Sequence, residues 1–368
     1  MNLDKLKKYI KSLPETENIH GCDCIIYKGH ECIFRESAGY SDAENTKPVS
    51  DTDRYILYSA TKVITATLAM QCVEKGLFSL DDPIYKYLPE FENMKLTNGE
   101  TAQNKITVKD LLTMQGGFSY DLSAPEIKSV INANSEATTA ELVSAMAKMP
   151  LLFEPGTHFQ YSLCHDVLAR VIEVVCGKKY SDCAKEGIFE PLGMENSGFS
   201  FEEARPYLVQ QYRYNGQTGE NDIEKIECAY MLTPNYESGG AGLFSTVDDY
   251  GKFVEAMCNY GENKDGVRIL SKESIDLMRK NHLGEESFND FLLCNKPGYS
   301  YGLGVRTLID KSKGSKSPIG EFGWDGAAGA YVMLDVENNI GVFYAQQLLV
   351  RDVANIIHTK IRNLIYED

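Results

Sequence analysis

The sequence predicts an α/β (α+β) fold, in which an antiparallel sheet flanked by helices is combined with a mainly helical domain. Two observations support this prediction. Segments typical of β-strands lie near both ends of the 368-residue chain, whereas the middle has apolar residues at helical spacing. The strand segments are joined by short turns, and consecutive hairpins give antiparallel pairing. We expect the terminal helices to cover one face of this sheet.

Apolar periodicity, capping residues and turn residues assign the elements of the first half in order. In this half the predicted strands are short, and a glycine marks the end of the longest predicted helix. The predicted elements are an amphipathic helix within residues 1–17, a hairpin of strands Cys22–Lys28 and Glu31–Glu36 around Gly29-His30, a helix from Ser59 to Lys75 stopped by Gly76, a short helix within Ile106–Met114 with Thr107 as N-cap, and two helices within residues 125–150.

The second half begins with helices and ends with strands and a helix. The same signals place its elements, and one of the turns contains two asparagines. The predicted elements are a helix from Asp166 that ends at Gly177, a helix opened by a capping box at Ser245-x-x-Asp248, strands Tyr299–Thr307, Ala330–Asp335 and Gly341–Gln346, a turn at Asn338-Asn339, and a final helix Asp352–Tyr366.

The charge and the cysteines exclude several classes of protein. The chain has 53 acidic and 37 basic residues and a net charge of −16, which disfavours binding to nucleic acid or to anionic lipid. It lacks an apolar run of roughly 18 residues and an N-terminal signal sequence, so we expect a cytoplasmic protein with reduced thiols. We expect Cys22 and Cys24 to pack in the core. The sequence contains no C-x-x-C pair, and its histidines are not spaced as metal ligands, so it predicts no metal site. It implies no cofactor either.

One S-x-x-K pattern, from Ser59 to Lys62, could support nucleophilic catalysis. Ser59 lies at the start of an apolar helix, where the helix dipole is positive, and Lys62 follows one turn later on the same face. Burial would lower the pKa of Lys62 and allow it to act as a base. The alternative is that Ser59 only caps the helix and that Lys62 is a solvated lysine of its first turn.

Two further segments contain candidate site residues. Tyr161 precedes a helix, and a lysine nearby could hold it as a phenolate that shuttles protons. Trp324, the single tryptophan, is followed by Asp325 and Gly326 just before a strand. For each there is a structural alternative, in which Tyr161 is a core or surface residue and Trp324 is an aromatic core anchor.

Other patterns have weaker functional interpretations. Ser300 is the centre of a G-x-S-x-G sequence, but a proline precedes it and a strand-like run follows, so we expect a strand rather than a nucleophile elbow. The small residues 239–242, Gly-Gly-Ala-Gly, indicate that another segment of backbone packs closely against this stretch. A Ser-His-Asp triad through His165 and Asp166 is conceivable, although a hydrogen bond at the start of the helix is the preferred interpretation of His165.

Taken together and in this order, these segments resemble the serine hydrolases of the class C β-lactamase, DD-peptidase and family VIII carboxylesterase superfamily. The likeness extends over nearly the whole chain and is far more specific than S-x-x-K alone. It lies in the blocks Gly39–Asp42, Lys75–Phe91, Ile106–Gly117, Phe153–Ser162, Phe189–Phe199 and Gly239–Phe253.

The resemblance implies a β-lactamase/transpeptidase-like fold and a site at the junction of two domains. Residues 1–55 and 205–368 would form the α/β sheet domain, and residues 56–204 the mainly helical domain. By resemblance Ser59 is the acylated nucleophile, Lys62 its base partner and Tyr161 the proton shuttle. The backbone N–H groups of Ser59 and Ala327 would form the oxyanion hole. Substrate would contact a set of four residues: Trp324, Asp325, Gly326 and Leu163.

Two departures from the family pattern favour esters as substrates. Leu163 replaces the amide side chain of the Y-x-N element, and Trp324 replaces the lysine of K-T-G, which meets a substrate carboxylate. Asp325 would add negative charge there. The sequence therefore predicts a serine hydrolase that acts on small-molecule esters, or on amides, through an acyl-enzyme. The alternatives are a β-lactamase or D-amino-acid peptidase, and a non-catalytic binding protein. The oligomeric state stays open.

Overall fold

The computed structural model describes residue 1, residues 3–227 and residues 230–367, so Cys228 lies outside the described residues. Its strands, numbered along the chain, are β1 (Gly21–Lys28), β2 (Glu31–Gly39), β3 (Tyr55–Ile56), β4 (Tyr212–Tyr214), β5 (Asn221–Ile223), β6 (Phe244–Ser245), β7 (Tyr299–Tyr301), β8 (Arg306–Leu308), β9 (Phe322–Gly323), β10 (Tyr331–Asp335), β11 (Ile340–Gln346) and β12 (Leu348–Leu349).

Helices of very different length lie between and beyond these strands. The α-helices are α1 (Leu3–Thr16), α2 (Thr61–Glu74), α3 (Val108–Leu112), α4 (Pro125–Ala133), α5 (Thr139–Met146), α6 (Cys164–Cys176), α7 (Tyr180–Ala184), α8 (Glu190–Leu192), α9 (Phe201–Ala204), α10 (Val247–Cys258), α11 (Lys272–Met278), α12 (Glu285–Phe291) and α13 (Thr359–Ile365). The π-helical segment Ala354–His358 leads directly into α13.

A seven-stranded antiparallel sheet in the order β2-β1-β11-β10-β9-β8-β7 joins the two ends of the chain. One face packs against the terminal helices α1 and α13, and Cys22 and Cys24 are buried in this layer as expected. The other face packs against α10 and the main core. The predicted fold class, an antiparallel sheet flanked by helices, is confirmed.

Two element predictions need correction. The single strand predicted for Tyr299–Thr307 is a hairpin of β7 and β8, because the chain reverses at Gly304, which has a φ of +76°. The predicted cap of α10 is displaced by one residue. Ser245 belongs to β6, and the hydroxyl of Thr246 accepts the N–H of Asp249 at 3.1 Å instead. Apart from β7 and β8, the two- and three-residue strands carried no sequence signal.

The other helical predictions agree with the structure to within a few residues. Thr107 forms a reciprocal capping box with Asp110, and Gly177 ends α6 in the left-handed conformation. The main apolar core is shared between the helices and one face of the sheet, so the division at residues 55/56 and 204/205 stays a prediction. Within the described residues, every helix is too short or too polar to cross a bilayer.

Candidate active site

A tight turn presents Ser59 just ahead of α2. Tyr58, the preceding residue, has a φ of +46°, a conformation that is costly for a residue with a side chain. The turn is held by the N–H of Leu57, which donates to Leu243 O at 3.0 Å, and by the Tyr58 hydroxyl, which donates to Gln211 Oε1 at 2.5 Å. Tyr58 and Ala60 are buried, whereas Ser59 is partly exposed. The strained backbone thus directs the one accessible side chain of the turn outward.

Lys62 is fully buried beneath this serine. Its Nζ lies 3.3 Å from Ser59 Oγ, 2.8 Å from Gly240 O and 3.2 Å from the hydroxyl oxygen of Tyr120. Burial lowers the pKa of Lys62 to about 7, although the charge of Asp166 acts in the opposite direction. The alternative of a solvated first-turn lysine is therefore wrong, and a large neutral fraction is available to accept a proton at neutral pH.

Tyr161 approaches from the loop before α6, which is fixed by a hydrogen bond from the N–H of Gln160 to Met114 O at 3.0 Å. Its ring centroid lies 4.6 Å from Lys62 Nζ, and its hydroxyl accepts a hydrogen bond from Trp324 Nε1 at 2.9 Å. Burial raises the pKa of Tyr161, while hydrogen bonding by Ser59 and Trp324 acts the other way. The expected phenolate is therefore not favoured, and Tyr161 holds its proton in the resting site.

Trp324 is buried, with only 4% of its surface exposed, and packs edge-to-face on Tyr301 at 5.1 Å. The next residue, Asp325, is ion-paired with Lys296 and with Arg306, which is 3.0 Å away. Although burial opposes ionisation, the charges of Arg306 and Lys296 hold the pKa of Asp325 below its usual range. The negative charge predicted beside Trp324 is thus compensated by Lys296 and Arg306.

Gly326 brings this segment against the turn that carries Ser59. A Cβ at Gly326 would lie 2.3 Å from Leu57 O, so the close approach requires glycine. Ala327 follows and is exposed. In the part of the chain that the structure describes, the backbone N–H groups of Ser59 and Ala327 have no hydrogen-bond partner. Their availability suits the predicted oxyanion hole, which stays a prediction.

Leu163 does not suit the substrate contact predicted for it. Its side chain is 1% exposed and belongs to the main core, and it stands at the N-cap of α6. Its N–H donates to Ser119 O at 3.3 Å, which helps to fix the loop that carries Tyr161. The Leu163 side chain packs in the main core, so Leu163 contributes to the site by positioning Tyr161.

Two tyrosines complete the site and were missed in the sequence. The Tyr120 ring lies 5.6 Å from that of Tyr161 and 5.5 Å from that of Tyr230, and its hydroxyl reaches Lys62. Tyr120 lies in the loop that follows Gly116-Gly117. This glycine pair is the one local signal in the sequence that pointed to a turn before Tyr120. The rings of Tyr120 and Tyr161 lie beside Lys62 Nζ and so form part of the burial that lowers the pKa of this lysine.

Neither Ser300 nor His165 hydrogen-bonds Ser59 among the described residues. Ser300 is buried in β7 and donates to Asn281 Oδ1 at 2.6 Å, in agreement with its interpretation as a strand residue. His165 is fully buried, and its ring nitrogens hydrogen-bond neither Ser59 nor Asp166 among the described residues, so no Ser-His-Asp triad is assembled. A hydrogen bond from the His165 ring at the start of α6 was expected, and none is formed among the described residues. At Gly239 a Cβ would lie 2.5 Å from His165 O, which confirms close backbone approach.

Asp166 supports the lysine from behind. Its Oδ1 accepts hydrogen bonds from Tyr236 at 2.8 Å and from Ser238 at 2.6 Å, whereas its buried Oδ2 has no partner among the described residues. A Cβ at Gly240 would lie 2.6 Å from Asp166 Oδ2 and 3.4 Å from Lys62 Nζ, so this glycine leaves the space between the two charged groups open. The carboxylate therefore acts on the lysine electrostatically, without a direct ion pair.

Known proteins with this architecture are esterases, acyltransferases and penicillin-binding proteins. A family model described as beta-lactamase matches residues 6–363. Esterase EstB of Burkholderia gladioli is 25% identical over 370 residues, which cover 94% of this chain and 90% of EstB. Lovastatin esterase of Penicillium rubens is 32% identical over 255 residues, 66% of this chain and 63% of its own. The structure of EstCE1, a hydrolase with promiscuous acyltransferase activity, matches with a TM-score of 0.84 and 25% identity over 100% of this chain and 99% of its own.

Proposed function

Because this chain belongs to the beta-lactamase family, we propose that it is a serine esterase that cleaves small, uncharged esters through an acyl-enzyme. One observation carries the proposal. Lys62 Nζ lies 3.3 Å from the partly exposed Ser59 Oγ, and its pKa of about 7 suits a base at neutral pH. A solvated lysine would be protonated there and could not accept the serine proton.

The arrangement supports a complete acylation step. Neutral Lys62 takes the proton of Ser59 as the oxygen attacks the ester carbonyl, and the N–H groups of Ser59 and Ala327 hold the resulting oxyanion. Tyr161 is protonated and donates to the departing alkoxide oxygen as the carbon–oxygen bond breaks. The Lys62 ammonium then returns a proton to Tyr161, which leaves the acyl-enzyme with both groups in their starting states.

Deacylation runs through the same groups in reverse order. Water attacks the acyl carbonyl and loses a proton to the Lys62 and Tyr161 pair, and Ser59 recovers its proton as the acid departs. Another alcohol can replace water at this point, and the product is then a new ester. Among relatives of this chain both outcomes are represented, as esterase EstB and acyltransferase calJ show by name.

The charges near the nucleophile favour uncharged substrates. Trp324 supplies an indole N–H that is already bound to Tyr161, and the nearby cation Lys296 is paired with Asp325. A substrate carboxylate placed at this strand would find no uncompensated positive charge among these residues. This observation supports esters over β-lactams and D-alanyl peptides, both of which carry a carboxylate.

The test is a fluorophosphonate and an ester panel used side by side. Incubation with the fluorophosphonate is expected to add one phosphonyl group, which peptide mass spectrometry should locate on Ser59. Short-chain p-nitrophenyl esters are expected to turn over faster than nitrocefin, and added methanol should divert part of the acyl group into a methyl ester. A lack of both adduct and ester turnover would instead indicate a binding protein, and faster nitrocefin turnover a β-lactamase.

A further inference from the structure

Cysteines from three helices meet where α2 and α6 end. Cys72 lies two residues before the end of α2, Cys176 is the last residue of α6, and Cys183 lies on α7. The Sγ atoms of Cys72 and Cys176 are 3.9 Å apart, although the two residues are 104 positions apart in the chain. Cys183 interacts with the same Cys176 thiol. None of the three takes part in the proposed ester cleavage.

A buried cysteine is commonly a small apolar residue of the core. That interpretation fits Cys72 and Cys183, which are 4% and 8% exposed. It fits Cys176 less well, because this residue is partly exposed at the end of its helix. Side chains of the described residues are nowhere grouped in threes to hold a metal ion, so these thiols do not form a metal site. A partly exposed thiol beside a second thiol is instead placed for thiol–disulfide exchange.

The surroundings of Cys176 favour its thiolate. Hydrogen bonding with Cys183 and Cys72 holds the pKa of Cys176 below its usual range, although burial opposes it. The ammonium groups of Lys75 and Lys178 act in the same direction as the hydrogen bonds. Hydrogen bonding to Cys176, together with burial, raises the pKa of Cys72 and of Cys183, so these two thiols keep their protons. Because a thiolate is the nucleophile in exchange, Cys176 is the attacking thiol of the cluster.

The thiol pair lies at the opposite end of α2 and α6 from the proposed reaction. Near the helix starts, Lys62 Nζ lies 4.6 Å from the ring of Tyr161, which is three residues before α6. Near the helix ends, Cys72 meets Cys176, so the two helices run side by side in the same direction. Ten residues of helix, about 15 Å, separate Cys72 from Lys62. A bond between the thiols would therefore join the two helices away from the reacting atoms.

We propose that Cys176 and Cys72 form a thiol–disulfide exchange site that reacts with small-molecule disulfides such as glutathione disulfide. The Cys176 thiolate attacks one sulfur of the reagent, forms a mixed disulfide and releases one glutathione thiolate. Cys72 then gives its proton to solvent, attacks the Cys176 sulfur and releases the second glutathione thiolate. Both released thiolates take up protons from solvent. The two protein sulfurs are oxidised by two electrons to one disulfide, and the reagent is reduced to two glutathione molecules.

The helix ends leave room for the small movement that this bond requires. The sulfurs must approach by about 2 Å to reach the length of a disulfide. Both cysteines lie in the last turn of their helices, just before Gly76 and Gly177. A Cβ added at either glycine would meet no atom within 4 Å, so the chain is open there. Rotation of the two side chains and a shift of these last turns can therefore bring the sulfurs together.

The test treats the reduced protein with glutathione disulfide at pH 7, followed by peptide mass spectrometry under non-reducing conditions. Two peptides joined through Cys72 and Cys176 are expected, and dithiothreitol should separate them. The bond closes a loop of about a hundred residues, so it should raise Tm by roughly 5 °C. Cys176→Ala treated in the same way should show no such rise. Glutathione on the exposed Cys32 without a Cys72–Cys176 bond would overturn the proposal, as would a bond from Cys176 to Cys183 in its place.

Variants separate the roles of the two thiols. Cys72→Ala removes the second thiol, so Cys176 should retain one glutathione, whereas Cys176→Ala should take up none at Cys72. Cys32→Ala is the matched control, because it removes an exposed thiol from β2 and should leave the rate of bond formation unchanged. In wild type, Cys176 should react about tenfold faster than Cys32, whose pKa is raised by burial. Equal rates, or glutathione on Cys72 in Cys176→Ala, would contradict the assignment.

A time course on the wild-type protein keeps the test open if Cys72→Ala fails to fold. Early quenched samples should carry glutathione on Cys176 before the bond to Cys72 appears, and glutathione on Cys72 first would overturn the order of attack. All of these readouts are masses, rates of modification and Tm. They are therefore independent of whether the protein cleaves esters.

Discussion

The indole Nε1 of Trp324 donates a hydrogen bond of 2.9 Å to the hydroxyl oxygen of Tyr161. A hydrogen bond to this oxygen favours the phenolate that would form when, in the proposed mechanism, Tyr161 gives its proton to the leaving group. The indole provides this without a positive charge, unlike the lysine that the resemblance places at the same position. Trp324 is thus coupled directly to Tyr161, the proton donor of the proposed mechanism.

Trp324→Phe should lower kcat by about three- to tenfold, because a neutral hydrogen bond is worth about 0.5–1.5 kcal/mol. KM should change little, since the ring remains in the core beside Tyr301. The measurement is steady-state turnover of p-nitrophenyl acetate. Tyr301→Phe is the matched control, because its buried hydroxyl has no partner among the described residues and its removal should leave kcat unchanged. Equal losses in the two variants would mean that packing, and not the indole N–H, supports catalysis.

Ser59→Ala should abolish ester turnover and the fluorophosphonate adduct while leaving Tm nearly unchanged. The substitution removes one partly exposed hydroxyl, and Ala60 and Tyr58 keep their buried positions. Ser300→Ala tests the competing G-x-S-x-G serine and should keep full activity, since Ser300 is buried in β7 and its hydroxyl donates to Asn281 rather than to the site. Adduct formation in Ser59→Ala but not in Ser300→Ala would reverse the assignment of the nucleophile.

The sequence was sufficient to propose the nucleophile, the base and the tyrosine, because the segments of Ser59, Lys62 and Tyr161 resemble a known family in this order, whereas each pattern alone left a structural alternative open. It was not sufficient to place Tyr120, which meets Lys62 from 58 residues away and has no motif of its own. The contact depends on how the loop after Gly117 folds over α2. Such long-range contacts are set by tertiary packing, which local sequence patterns do not encode.

Charge partners were equally hidden in the sequence. Asp325 carries a negative charge as predicted, but its partners Arg306 and Lys296 are 19 and 29 residues away in the chain. Arg306 lies in β8, which the sequence merged with β7 into one strand, and the neighbouring β9 was missed because two residues show no periodicity. The sheet was predicted correctly where hairpins are long, as for β1 and β2, since alternation and a two-residue turn are local properties.

Lys62→Met and Tyr161→Phe should each lower kcat/KM by about 10²–10⁴, the usual range for loss of a general acid or base. The double variant should be little worse than the more damaged single variant, because both residues serve one proton transfer. Single-turnover acylation by p-nitrophenyl acetate measures each rate directly. If the two losses multiply in the double variant, Lys62 and Tyr161 act in separate steps.

The rate of ester cleavage should rise with pH around pH 7, because only neutral Lys62 accepts the proton of Ser59 and its pKa is about 7. Asp166 stabilises the ammonium, so Asp166→Asn should move the midpoint of kcat/KM to lower pH. The asparagine oxygen can still accept from Tyr236 and Ser238, which preserves the local fold. A midpoint that moves to higher pH, or that is unchanged, would show that another group controls the acidic limb.

Trp324→Lys tests why the site should prefer uncharged esters. The carboxylate of Asp325 is already held by Arg306 and Lys296, so it should not neutralise an introduced ammonium, which could meet a substrate carboxylate. A charged hydrogen bond is worth about 1.5–3 kcal/mol, so the kcat/KM ratio of p-nitrophenyl acetate to nitrocefin should fall by about ten- to a hundredfold. Trp324→Met, which removes the indole without adding charge, should lower both rates and leave the ratio unchanged. A ratio that stays the same in the lysine variant would mean that residue 324 does not face the substrate and serves Tyr161 alone.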